Sequence, residues 1–276
     1  MKKARFRWLS NLYLGLMLAF LYAPIVMLMV FSFSASKSRA TWGGFTLKWY
    51  TNLLHNPEIM SALWTTVLVA VLASLIATIV GTLAAIGLYG MKHGVRTMVL
   101  NISYLPVINP DIVTGISLMI LFIFLRFNLG FSTMLMAHVV FNTPYVIFSV
   151  MPKLQQMDRS LYEAALDLGS TPGHALRKVI LPQIMPGVIT GMILAFTLSI
   201  DDFVISFFTS SGVQNLSIYI YSAARRGINP SMYALMTLMF LSVLALLLIV
   251  NRRTALAGGD NGSRDTNKNP RSFQAD

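Results

Sequence analysis

"SLYEAALDLGSTPGHALRKVILP", residues 160–182, is a polar stretch set between apolar runs long enough to span a bilayer. Ser160 and Glu163 have the S-x-x-E spacing of a capping box, which predicts a helix from Leu161 with Ser160 serving the backbone N–H of position 163. Gly169 suits the left-handed residue that ends such a helix. Leu161, Ala164, Ala165 and Leu168 fall at i, i+3, i+4 and i+7 and make one apolar face, with Glu163 and Asp167 together on another. Thr171 as N-cap and Pro172 in the first turn predict a second helix, which carries Arg177 and Lys178 near its end and breaks at Leu181-Pro182. A helix of two turns is not stable alone in water, so something must cover its Leu/Ala face. Helices lying on anionic lipid present Lys and Arg, whereas this one presents Glu163 and Asp167, which favours a protein partner.

Outward from this stretch the chain avoids water. It is 55% hydrophobic and 11% charged, with a mean hydropathy of +0.66, a balance that marks an integral membrane protein. Apolar runs over Leu12–Phe33, Ala62–Tyr89, Met98–Leu125, Phe131–Val150, Ile184–Phe208 and Met232–Val250 predict an all-α fold with six spans. The first run is too long for the apolar region of a signal peptide and reads as a retained anchor. With the N-terminus in the cytoplasm, fifteen of the 21 Lys and Arg fall on the inner side and six on the outer. That asymmetry sets a multi-pass orientation in a cytoplasmic membrane, both termini inside and residues 160–182 cytoplasmic. It also accounts for the net charge of +11 without nucleic acid. Residues 1–11 are then a basic cytoplasmic N-terminus, 12–253 the six-helix block with its loop over 151–183, and 254–276 a disordered tail. Trp42, Trp49 and Tyr50 fit an interfacial aromatic belt beside lipid.

"EAALDLG" followed by "ILP" resembles the EAA loop of bacterial ABC-importer permeases, matched here by Glu163, Ala164, Ala165, Gly169, Leu181 and Pro182. Val179 stands where that family usually has Ile. "GFTLKWYTNLL" (44–54), "NPDIVTGISLMILF" (109–122) and "SIDDFVISFFTS" (199–210) resemble the spermidine/putrescine permeases of this class, second permease type. The resemblance implies the type I importer permease fold and a helix that docks on a separate ATP-binding subunit, present as a pair. It further implies a homologous second permease and a periplasmic or extracellular polyamine-binding protein. The chain has no G-x-x-x-x-G-K-[ST] loop, so no cofactor is expected on it, and ATP and Mg belong to the ATPase partner.

Acidic residues are scarce, ten in all, yet Asp111, Asp201 and Asp202 sit in or at the ends of spans. A central Asp costs about 2.5–3.5 kcal/mol on insertion scales, so such residues face a bundle interior or an aqueous path. A path for a polyamine, a flexible cation with apolar segments, gives all three a purpose, with Phe203, Phe207 and Phe208 as cation-π faces. Asp111 fits equally a helix restart after Asn109 as N-cap, within a span broken by Pro106 and Pro110. On one helix Asp201 and Asp202 diverge by about 100° and cannot both face one axis. Thr197 lies four before Asp201, and Ser199 and Ser206 flank Asp202 as hydrogen-bond neighbours. Gly187 and Gly191 are candidate helix-packing residues, as are Gly81 and Ala85. Contacts within the subunit are the ordinary reading, and contact of Gly187 and Gly191 with a second permease is the sharper one.

Other classes fit less well. An intramembrane aspartyl protease needs carboxylates opposed on two helices, and here they are consecutive. A channel or secondary transporter has no use for a capped docking helix, while the same permease fold serving another solute stays open. Cysteine is absent and His55, His93, His138 and His174 lack ligand spacing, so no metal site is expected. Arg225 and Arg226 read as a solvated pair or as a docking point for a binding protein.

Overall fold

The computed structural model describes residues 2–36, 41–227 and 230–259, all helix, turn and loop apart from one isolated bridge between Ser34 and Phe45. The described residues of 1–55 and 227–276 form one compact unit and those of 56–226 another.

The first unit holds α1 (Lys2–Phe31), α2 (Lys48–Leu54) and α12 (Pro230–Gly259). Over Ser10–Phe31 α1 is predominantly apolar and none of it is buried, as a lipid-facing span requires. The loop before α2 is held from within. Trp49 is buried and its Nε1 donates to Ser34 O at 2.7 Å, and Tyr50 Oη meets Ser32 Oγ at 2.7 Å. Phe33 stacks between Phe45 and Tyr50. Trp49 and Tyr50 of α2 therefore anchor the loop before it, and of the three only Trp42 is exposed as the expected belt would have it. The tail expected from residue 254 begins as helix, since α12 continues to Gly259, and residues 260–276 lie outside the described residues.

The second unit contains α3 (Pro57–Gly90), α4 (His93–Ile108), α5 (Asp111–Phe124), α6 (Phe131–Gln156), α7 (Arg159–Asp167), α8 (Pro172–Ala175), α9 (Leu181–Asp201), α10 (Val204–Thr209) and α11 (Leu216–Arg226). Its core is the seam of α3, α6 and α9, where Ala77, Ala85, Val146, Val150, Ile184 and Ala195 are buried together. Glycine makes that seam close. A Cβ at Gly81 would stand 2.8 Å from Val146 Cβ, and one at Gly187 2.8 Å from the Ser149 carbonyl oxygen. Gly191 lies against Val146 Cα in the same way. Gly187 and Gly191 thus lie close against α6 of the same chain.

Four described helices are long and apolar enough to cross a membrane: Ser10–Phe31, Pro57–Gly90, Phe131–Gln156 and Pro172–Asp201. The expected span over Met98–Leu125 is instead α4 and α5, bent by 105° at Asn109-Pro110. Proline lacks an N–H and forces the residue before it into extended backbone, and Asn109 has ψ 143°. Asn109 therefore ends α4, and Pro110 rather than Asn109 precedes α5, with Asp111 in its first turn. The last apolar run lies in α12, which is helical from Pro230 to Gly259. The six expected runs correspond to α1, α3, the bent pair α4 and α5, α6, α9, and α12.

Candidate functional site

The two ends of α9 carry the residues singled out by the sequence. At its start, α7 and α8 form the expected helix-turn-helix with different caps. Asp158, not Ser160, is the N-cap: its Oδ1 accepts the Ser160 N–H at 2.9 Å, and α7 begins at Arg159. Bonding to Ser160, first to its backbone N–H, holds the Asp158 carboxyl below the usual carboxylate range. The Ser160/Glu163 box does not form, because an Asp two residues earlier reaches the orphan N–H first. Gly169 adopts φ +82° and closes α7 with two bonds, from its own N–H to Leu166 O at 2.9 Å and from Ser170 N–H to Ala165 O at 3.0 Å.

α7 is attached on one side and open on the other. Tyr162 packs against the α3/α6/α9 core, as does Leu176 beyond α8. Leu161, Glu163, Ala164, Asp167 and Leu168 are exposed, and Leu168 is 89% accessible. Among the described residues, nothing covers Leu161, Ala164 and Leu168 of the Leu/Ala face, while Ala165 is half-buried. The break expected at Leu181-Pro182 is absent. Leu176–Ile180 widens into a π-turn, with Leu181 N–H bonding back to Leu176 O, and helix runs from Pro172 to Asp201. A π-turn re-routes the backbone bonds that Pro182 cannot make or would obstruct, so the chain bulges where it was expected to part.

At the other end, α9 stops at Asp201 because Asp202 is extended, ψ 124°, and its side chain caps α10. Asp202 Oδ1 accepts the Ile205 N–H at 3.2 Å, and Oδ2 accepts both the N–H and the hydroxyl of Ser206 at 2.8 Å. His138 of α6 brings Nε2 within 3.4 Å of Oδ2, and the Asp202 side chain is only 7% exposed. Ser206 Oγ also meets His138 Nε2 at 2.9 Å and accepts Asn215 Nδ2 at 2.8 Å. Since the one hydroxyl proton of Ser206 goes to Asp202, its lone pairs accept from His138 and Asn215, which puts a proton on Nε2 of His138. Asn215 Nδ2 lies 3.2 Å from Asp202 O, and its Oδ1 accepts the Ile218 N–H at the start of α11.

The neighbour, Asp201, is exposed, as is Asp111. These two carboxylates lie within reach of each other's charge, and Asp111 within that of Tyr145 on α6. Gly115 lets α5 approach α10 closely, Phe208 Cδ2 standing 3.2 Å from where a Cβ would be. Phe203, two residues after Asp201, clusters with Phe207 and Tyr221, with ring centroids 4.6–6.0 Å apart, and Phe207 and Tyr221 are exposed. Arg225 stands 5.8 Å over the Tyr221 ring, and Arg226 lines a cleft of about 570 Å³ with Glu58, Ser61 and Gln214.

Of the three carboxylates, Asp111 and Asp201 are open and Asp202 is consumed by the fold. The expected neighbours also rearrange: Thr197 bonds Ile193 O, and Ser199 Oγ accepts Asn142 Nδ2 at 2.7 Å, so only Ser206 serves Asp202. Sequence reasoning missed His138, Asn142 and Asn215. His138 and Asn142, four apart in an apolar span, were the available signal.

A model of the inner membrane component of binding-protein-dependent transport systems matches residues 77–256. The chain belongs to that family. It is 38% identical over 247 residues to the spermidine/putrescine transport system permease protein PotC of Shigella flexneri, covering 88% of this chain and 94% of that one. With the putrescine transport system permease protein PotI of Escherichia coli strain K12 it shares 41% over 228 residues, 79% of this chain and 81% of the relative. A crystal structure of a bacterial ABC transporter involved in import of the acidic polysaccharide alginate has the same fold, with a TM-score of 0.68 at 17% identity over 97% of this chain and 99% of that one. As an inner membrane component of a binding-protein-dependent transport system, this permease is a multi-pass transport protein and not an enzyme.

Proposed function

We propose that this permease forms, with a homologous second permease, the membrane path of an ATP-driven polyamine importer for spermidine or putrescine. What supports the solute is two exposed carboxylates, Asp111 and Asp201, within reach of each other's charge, and Phe203, two residues from Asp201, whose ring packs on the exposed rings of Phe207 and Tyr221. Separated anions match the amines, and aromatic surfaces match both the charges and the methylene body between them. The names of the two relatives support the same solute.

Energy enters through α7. Its uncovered Leu161, Ala164 and Leu168, flanked by Glu163 and Asp167, suit a groove on an ATP-binding subunit, one of a pair that holds ATP and Mg. Movement of that groove passes to the spans because Tyr162 and Leu176 sit on the core. In this reading residues 160–182 and both termini are cytoplasmic, and a soluble polyamine-binding protein delivers solute on the far side, next to Asp201.

The test is uptake of labelled spermidine and putrescine by cells without another polyamine importer, carrying the full transporter, lacking this chain, or carrying Glu163→Lys. Loss of uptake in both altered strains, with the substituted chain still in the membrane, is the expected result. Normal uptake without the chain overturns the solute; normal uptake with Glu163→Lys overturns the coupling role of α7.

A further inference from the structure

Asp201 and Asp202 are chemically identical neighbours, yet one is exposed and the other has its carboxylate oxygens bonded inside the protein. What separates them is the break between α9 and α10, and that break is held from α6. We propose that His138 is a positioning residue: through Ser206 and Asp202 it fixes the break and leaves Asp201, alone of the pair, to meet the solute. The inference rests on the polyamine reading for the solute and on geometry alone for the positioning.

The assignment follows from where each proton goes. Ser206 has a single hydroxyl proton and gives it to Asp202 Oδ2, so the His138 N–H is what fills one of the two Ser206 lone pairs. The same Nε2 stands beside Asp202 Oδ2, which places the only described partner from α6 on this carboxylate. His138 is 1% exposed, and beside it Phe141, Ala137 and Ile205 are buried together, so water does not replace the lost donor. Thr133, five residues earlier on α6, donates to Thr209 O at 2.7 Å and ties the far end of α10 to the same helix. α10 has six residues, too few to keep its place without these ties. If the ties loosen, the turn at Asp202 relaxes and Asp201, one peptide away, loses its fixed position relative to Asp111.

The experiment is a double-substitution cycle on the assembled transporter, reading half-saturating concentration and maximal rate of labelled putrescine uptake. Asp201→Asn should raise the half-saturating concentration about ten- to a hundredfold, the range for one charge-assisted contact. His138→Ala should raise it comparably, His138→Gln, which keeps an N–H donor, should recover most of the loss, and His138→Ala in the Asp201→Asn background should add little. Multiplying effects in the double variant, or no recovery with Gln, overturns the inference. If His138→Ala does not reach the membrane, Asp202→Asn takes its place in the cycle with the same expectations.

A second arm needs no solute. The chain has no cysteine, so single cysteines report directly. Asp201→Cys should react with a cationic thiosulfonate reagent in every background. Ile205→Cys, at a position with 0% exposure, should react only when His138 is Ala and not when it is Gln. Protection of Ile205→Cys in the His138→Ala background overturns the positioning role. Absence of polyamine uptake by the unsubstituted transporter sinks the solute instead, and the thiol arm then still decides for or against His138.

Discussion

The two ends of α9 treat their polar groups in opposite ways. At the Asp202 end side chains close on one another: Asp202, His138, Ser206 and Asn215 donate and accept within the chain. At the α7 end only the backbone is closed, by Asp158 and Gly169, while Leu161, Glu163 and Leu168 are left over. Groups spent internally belong to the fold, and groups left over mark a surface intended for something else. The same contrast recurs across one peptide bond, between Asp202 and Asp201.

The ends are linked by the α3/α6/α9 seam, so the largest expected effect comes from breaking that link. A side chain at Gly187 meets the Ser149 carbonyl at 2.8 Å and Val150 Cα at 3.3 Å, backbone that cannot swing aside. Gly187→Leu should cost about 3 kcal/mol or more, enough to remove the chain from the membrane fraction. Gly173→Ala, with nothing within 4 Å, is the matched control and should accumulate normally. Equal amounts of both variants on an immunoblot would mean that α6 and α9 are not in close contact.

That seam was legible in the sequence, because small residues at four-residue spacing have one physical use in a span. So were the runs of apolar residues and the helix-turn-helix over 160–182, since all three depend on local pattern. What the pattern did not contain were choices between equivalent neighbours. Asp158 and Ser160 are both good N-caps, and only the path of the chain after Gln156 decides for Asp158. Asp201 and Asp202 are indistinguishable until His138 and Ser206 arrive from elsewhere. A π-turn at 176–180 and a break at 202 are both answers to a residue that does not fit a straight helix. Pro182 forecast a full break, whereas nothing local marked the break at 202.

The division between the two aspartates can be tested on stability alone. Asp202→Ala strands His138, the Ser206 hydroxyl and two N–H groups of α10 in a buried setting, and should destabilise the purified transporter by about 3 kcal/mol. Asp201→Ala removes an exposed side chain and should stay within about 0.5 kcal/mol. Thermal unfolding of the two variants side by side gives the difference. A reversed order would make Asp201 the structural member and Asp202 the open one.

A smaller effect is expected at Gly169, whose φ of +82° closes α7. Gly169→Ala has room for its methyl group but must hold a left-handed backbone, at a cost of about 1 kcal/mol. The cost falls on the last turn of α7 and not on the core. Uptake should therefore drop while the amount of chain in the membrane and the unfolding temperature barely move. A change in unfolding temperature as large as that of Asp202→Ala would show that α7 is part of the cooperative core, and the contrast between the two ends would fail.

The smallest expected effect sharpens the same point through pH. Asp158 caps α7 as a carboxylate, and its pKa is lowered from 3.8 by its bonds to Ser160. A group whose folded pKa is depressed contributes stability that is fully present above its unfolded value and lost as pH falls through the folded one. The first turn of α7 should therefore hold unchanged down to the ordinary carboxylate range and loosen below it. Asp158→Asn keeps an oxygen acceptor for the Ser160 N–H but has no proton to gain, so it should cap slightly less well at neutral pH and lose the acid step. Hydrogen exchange at the amides of Ser160 to Tyr162, followed as pH is lowered, checks both halves. An acid step that survives in Asp158→Asn would assign it to another carboxyl, with exposed Glu163 and Asp167 of the same helix the next to substitute.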